Sequence, residues 1–240
     1  MPPCHRRSVT PYYEDDGTVI YHGDCREVLP QLGRGLDLLL ADPPYGQGVR
    51  VDSRRFSVPA SAWWGNTDRS GVPRHRPVAA DNEPFDPSHL LGYSKAILWG
   101  AQWYAPRLPA RGGWLVWDKR RGIEDIDWPL SEAELAWRSW ADGVRVFRHR
   151  WFGLIRDSER GLHLHPTQKP VALMEWCIGL AGRIERVIDP YMGSGPIIEA
   201  ARRLGVNAVG IELDEAYCEV AARRLDQGVL PFGNTPAARE

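Results

Sequence analysis

Cysteine is scarce in this chain of 240 residues: four, at positions 4, 25, 177 and 218, with no close spacing that suggests a disulfide framework or a thiolate metal site. That usage fits a reducing cytoplasm, where the chain is expected to reside. His163 and His165 have no second ligand pair, so no metal is expected. No apolar run is long enough to span a bilayer, and the Met-Pro-Pro-Cys-His-Arg-Arg start lacks the apolar centre of a secretory signal. No internal repeat is evident. Charge of one sign is also missing, because the formal net charge is −1. Any attraction to phosphates must therefore come from local segments rather than a uniformly basic surface.

What is present is a core-forming composition, 43% hydrophobic, enough for one substantial α/β core. The apolar run Leu36 to Ala41 reads as a buried strand. It ends at Asp42-Pro43-Pro44-Tyr45, and the carboxyl edge of a strand is where open α/β sheets bind ligands. These residues suit chemistry on an exocyclic amino group of a nucleobase, whose lone pair is delocalised into the ring. Asp42 can accept one N–H and the Pro43 carbonyl the other, drawing the nitrogen toward tetrahedral geometry. Tyr45 can stack on a base drawn out of its helix.

A second constellation runs from the strand Arg186 to Asp189 through Pro190-Tyr191-Met192-Gly193-Ser194-Gly195 into a helix predicted over Pro196 to Leu204. Strand, glycine turn and helix make a nucleotide-binding unit, with free N–H groups at the helix start. A further strand, Val206 to Ile211, ends at Glu212, at the spacing of an acid that accepts from ribose hydroxyls. A dinucleotide fingerprint would need a third glycine where Ile198 stands. His165-Pro166-Thr167-Gln168-Lys169-Pro170 precedes a helix over about Val171 to Ala181. The strand pattern Thr18 to Asp24 ends at an acid that can also cap a helix over about Cys25 to Leu32.

Together these motifs resemble the β group of S-adenosylmethionine-dependent DNA amino-methyltransferases. Asp42 to Tyr45 resembles motif IV, Asp189 to Gly195 motif I with tyrosine in place of the usual phenylalanine, and His165 to Pro170 a family signature. The target-amine motif precedes the glycine loop, so the order is circularly permuted. The resemblance implies a Rossmann-like class I methyltransferase fold: α/β, with a mostly parallel seven-stranded sheet and helices on both faces. It implies S-adenosylmethionine as cofactor, held by Asp24, Asp189, Pro190, Gly193, Ser194, Gly195 and Glu212. Thr167 and Lys169 are implied for its methionine carboxylate or ribose. Asp42, Pro43, Pro44 and Tyr45 are the implied catalytic residues. Because the family's cytosine members more often begin motif IV with serine, Asp42 favours adenine N6 over cytosine N4, and RNA adenine is a further alternative.

One domain is expected over 1–240, with a long basic loop at about 46–82 and a small target-recognition insertion at about 119–164. From Gly46 to Arg76 six arginines face two acids, with Trp63 and Trp64 among them. Arg50, Arg54, Arg55 and Arg74 from this loop, with Arg145, Arg148 and Arg150 from the insertion, are the candidate contacts to double-stranded DNA. Such a short recognition region leaves open a homodimer. Val144 to Trp151 reads as a strand, and weaker helical patterns lie around Ala101 to Arg107 and Pro87 to Ser94. Trp99, Trp114, Trp117 and Trp176 fall in apolar patterns and are expected in the core.

Overall fold

The computed structural model describes residues 9–15, 17–32, 38–46, 83–120, 131–152, 155–159 and 168–226. Tyr13–Asp15 (β1) and Thr18–His22 (β2) form an antiparallel hairpin. Helix α1 is Cys25–Leu32, and it is followed by β3 (Leu38–Ala41), β4 (Lys95–Trp99) and β5 (Gly113–Asp118). Then come β6 (Ala133–Arg138), β7 (Val144–Arg148) and a small separate hairpin, β8 (Trp151–Phe152) with β9 (Ile155–Arg156). The rest alternates: α2 (Val171–Leu180), β10 (Arg186–Asp189), α3 (Pro196–Arg203), β11 (Asn207–Glu212), α4 (Glu215–Asp226).

One nine-stranded sheet runs in the order β1-β2-β11-β10-β3-β4-β6-β5-β7. The sheet therefore exceeds the seven strands expected. Its centre, β2-β11-β10-β3-β4, is parallel throughout, while β6 runs antiparallel to both of its neighbours, β4 and β5. From β10 the chain moves through α3 to β11 on one side, and from β3 to β4 on the other. Between β10 and β3 the winding reverses, and a crevice opens at such a point.

Continuous apolarity in β3 follows from burial on both faces. Leu38 and Leu40 pack with residues of α2, α3 and α4, whereas Leu39 and Ala41 pack with α1 and the turns around Leu90 and Tyr104. All three leucines are fully buried, each contributing about 2 kcal/mol by removal from water. Trp99 and Trp117 are buried edge to face, 6.5 Å apart, and Trp114 and Trp176 pack partly buried against the core. The core role expected of these four tryptophans holds.

Local chemistry explains where the elements differ from expectation. The helix expected over Ala101 to Arg107 is two 3-10 turns, Ala101–Trp103 and Ala105–Arg107, because Gly100 enters in the left-handed region and Tyr104 breaks the helical dihedrals. The helix expected over Pro87 to Ser94 shrinks to Ser88–Leu90. The strand expected over Val144 to Trp151 stops at Arg148, and Trp151 begins the separate hairpin. Strands β1 and β6 and helix α4 have no counterpart in the sequence reading. The expected basic loop beyond Gly46, with Arg50, Arg54, Arg55 and Arg74, lies outside the described residues, as does Thr167. No described helix is long and apolar enough to cross a membrane.

Candidate active site

Parallel strands bring four acids to one rim. Asp24, Asp42, Asp189 and Glu212 stand at or just beyond the carboxyl ends of β2, β3, β10 and β11, neighbours in the sheet. All four line a single cleft of about 620 Å³. The motifs that lie far apart along the chain thus meet at the reversal point.

At one end of the cleft the glycine loop is built around Glu212. Its Oε2 accepts from the Gly193 backbone N–H at 2.8 Å and its Oε1 from Asp214 N–H at 2.8 Å. Each oxygen keeps a further lone pair for a ligand hydroxyl. Gly193 and Gly195 have φ of 52° and 79°, a region open to glycine at little cost. Behind the loop, the Met192 sulfur fills the space that any side chain at Gly210 would need. Pro196 follows Gly195 at the first turn of α3.

Asp189 is 1% exposed; its Oδ1 accepts from Tyr191 N–H at 3.1 Å, but its Oδ2 has no hydrogen-bond partner among the described residues, and neither has Ser194 Oγ. Burial, with Asp42 and Glu212 nearby, pushes the Asp189 carboxyl well above its usual range. Orphaned buried polar atoms and crowded acids on a cleft wall fit a polar, positively charged ligand. Asp24 accepts from Arg26 N–H at 2.8 Å, capping α1 while lining the cleft. Both roles considered for it are therefore geometrically compatible.

Tyrosine in place of phenylalanine at position 191 has a structural consequence. Its hydroxyl shares a 2.8 Å hydrogen bond with His89 Nε2, and its ring meets Phe85 edge-on. Burial, then Arg26, lowers the pKa of His89, so the imidazole is a neutral partner.

At the other end, Asp42 Oδ1 takes two donors, Lys169 Nζ at 2.5 Å and the Tyr45 hydroxyl. Lys169 also donates to the Tyr45 oxygen at 3.0 Å and lies 3.1 Å from Glu134 Oε2. The sequence reading put Lys169 on the cofactor; it lines the cleft, and its ammonium reaches Asp42 and Tyr45, a pairing the sequence reading did not include. Burial and the Asp42 charge raise the Tyr45 phenol, which stays neutral. With Oδ1 occupied, Oδ2 has no hydrogen-bond partner among the described residues, and both Asp42 and Pro43 line the cleft.

Tyr45 rests against the backbone of Gly100, where an added Cβ would overlap the ring at Cε1. Gly100→Ala is expected to displace the ring, lowering methyl transfer about a hundredfold. S-adenosylmethionine titration of the same variant checks this, since its dissociation constant should change less than about twofold.

Gly100, Glu134, Lys119 and His89 were not picked out by sequence reasoning. Glu134 had a faint signal, since Glu132 and Glu134 alternate with Ala133 and Leu135 at the period of a strand. Among the candidate DNA contacts, Arg145 and Arg148 are exposed on the edge strand β7, Arg148 lying 3.5 Å from Asp118. Arg150 is paired with Asp157 at 2.8 Å.

The chain is 39% identical over 255 residues to the type II methyltransferase M2.DpnII of Streptococcus pneumoniae, a match that covers 90% of this chain and 92% of the relative. The chain belongs to the DNA methylase family. A family model described as DNA methylase matches residues 116–223 of the methylase. The type II methyltransferase M2.LlaDCHI of Lactococcus lactis subsp. cremoris is 27% identical over 254 residues, covering 91% of this chain and 93% of the relative. Among solved structures, the cytosine-N4-specific PvuII DNA methyltransferase aligns with a TM-score of 0.56 at 12% identity, over 96% of this chain and 91% of its own. TTHA0409 of Thermus thermophilus, complexed with S-adenosyl-L-methionine, aligns at 0.50 with 17% identity, over 89% and 96%. At such identities these two share the fold. The methylase acts on DNA, and its methyl donor is S-adenosylmethionine, whose positive charge suits the acidic rim.

Proposed function

We propose that the methylase transfers a methyl group to N6 of an adenine flipped out of double-stranded DNA. The observation that carries this reading is the state of Asp42: Oδ1 is held by Lys169 and Tyr45, while Oδ2, without a hydrogen-bond partner among the described residues, is the oxygen that would accept from an amino group. A carboxylate there, where the family's cytosine members more often have serine, favours adenine.

S-adenosylmethionine supplies an electrophilic methyl on a sulfonium. Glu212 would take the ribose hydroxyls, Asp24 the adenine amino group, and the Gly193 to Gly195 loop, with Asp189, Pro190 and Ser194, the remainder. The target nitrogen would attack in line, forming the N–C bond as the S–C bond breaks, with no covalent enzyme intermediate. Asp42 Oδ2 and the Pro43 carbonyl would accept the two N–H groups, favouring the charge that develops on nitrogen. Asp42 then takes one proton and passes it to solvent. Tyr45 would hold the flipped base, and Pro44 would stiffen the turn.

Residues 119–164 would supply sequence recognition within one domain, with Arg145, Arg148 and Arg150 on phosphates, joined by Arg50, Arg54, Arg55 and Arg74 of the 46–82 loop. Thr167 is retained as a cofactor contact. The names of the relatives, type II methyltransferases, support a place in restriction and modification, and a cytoplasmic location belongs to the same proposal. Two copies acting as a dimer would lengthen the recognition surface.

Digestion of DNA methylated with labelled S-adenosylmethionine, followed by nucleoside mass analysis, tests the reading. N6-methyladenine is expected. N4-methylcytosine would overturn the choice of base, and label found in RNA alone would overturn the choice of nucleic acid.

A further inference from the structure

Only three lysines occur in the chain, at positions 95, 119 and 169, and two of them converge on Glu134. Glu134 lies on β6, opposite Trp117 of β5 in register, and so reaches the cleft from the antiparallel part of the sheet. Its Oε1 accepts from Lys119 Nζ, while its Oε2 lies 3.1 Å from Lys169 Nζ. Lys169 donates to Asp42 at 2.5 Å and to the Tyr45 oxygen at 3.0 Å, and it is ion-paired at 3.1 Å with Glu134 Oε2, a buried oxygen with no hydrogen-bond partner among the described residues. Two carboxylates and two ammonium groups thus form a chain from the target-amine motif to the cleft wall, with Lys169 only 5% exposed at its centre.

A buried ammonium committed to Asp42 alone would bind that carboxylate's electrons tightly and leave it a poor acceptor. Sharing the ammonium with a second carboxylate weakens that hold. We propose that Glu134 is a positioning residue that competes with Asp42 for Lys169 and so sets how strongly Asp42 draws on the proton of the target amine. This rests on the role proposed above for Asp42.

The charges divide in the sense required. Against the upward push of burial, Lys169 and Lys119 hold Glu134 down to about 2. Asp42 moves the other way: burial pushes it above its usual range, Lys169 offsets part of this, and Glu134 adds to it. Of two acids on one ammonium, the one that can take a proton is the one facing the substrate. The other groups near Asp42 are Tyr45, Asp189 of β10, and Tyr104 after β4.

The test is the single-turnover rate of methyl transfer against pH, at saturating S-adenosylmethionine, for Glu134→Gln, Glu134→Asp and Lys119→Met. Glu134→Gln gives Lys169 wholly to Asp42, so the acid limb moves to lower pH and the plateau rate falls roughly tenfold. Lys119→Met frees Glu134 to draw harder on Lys169, and the limb moves to higher pH. Glu134→Asp keeps the charge and leaves the limb in place, whatever its rate. A merely structural role lowers rates without moving the limb. An unmoved or raised limb in Glu134→Gln overturns the proposal. Should that variant fail to fold, an unmoved or lowered limb in Lys119→Met overturns it. Asp42→Asn separates the two readings: if it is inactive while the limbs stay fixed, only the role of Glu134 falls. If it transfers methyl at the wild-type rate, the role of Asp42 falls with it.

Discussion

Asp42→Ala is expected to lower the single-turnover rate of methyl transfer about a thousandfold or more, with S-adenosylmethionine binding within severalfold of wild type. The loss combines two effects at one carboxylate. It removes the acceptor facing the amine, and it frees Lys169 and Tyr45, whose donors now converge on Oδ1. Lys169 keeps Glu134 as a counter-ion, so the buried charge is not left alone and the fold should survive. Asp42→Asn, which keeps the shape and loses the charge, should lose most of the same rate. Quenched-flow assays with labelled cofactor, alongside calorimetric titration, distinguish the chemical step from binding.

Glu212→Ala is expected to act on the opposite end of the cleft, raising the cofactor dissociation constant about a hundredfold or more. Each carboxylate oxygen anchors one backbone N–H, from Gly193 and from Asp214, so truncation unties the glycine loop as well as removing the ribose acceptor. Glu212→Gln should lose less, because its remaining carbonyl oxygen can accept from one of the two. Isothermal titration with S-adenosylmethionine reads both variants. Saturating cofactor should restore much of the rate in Glu212→Gln and none in Asp42→Ala.

The rim was legible in the sequence because each of its acids ends an apolar strand, and strands with continuous apolarity lie in the parallel centre of a sheet. The runs Leu36 to Ala41 and Arg186 to Asp189 carried that signal, and the strands found there, β3 and β10, lie in adjacent positions. Helix α1 was read at its observed bounds because the acid at Asp24 marks its start. Glu134 was hidden for the opposite reason. It sits on a strand added antiparallel to the sheet, where pairing with β4 and β5 rather than local sequence fixes the register. The contacts of Lys169 with Asp42 and Tyr45 were not legible, since they depend on how the entry to α2 meets β3. Gly100 could not be told from an ordinary turn glycine until the Tyr45 ring was placed against it.

The most direct test of the account is a crystal structure of the ternary complex with duplex DNA and S-adenosylhomocysteine. The account predicts a flipped adenine whose N6 donates to Asp42 Oδ2 and the Pro43 carbonyl, with the cofactor ribose on Glu212. A stacked target base, a flipped cytosine, or a base amine bound away from Asp42 would contradict it.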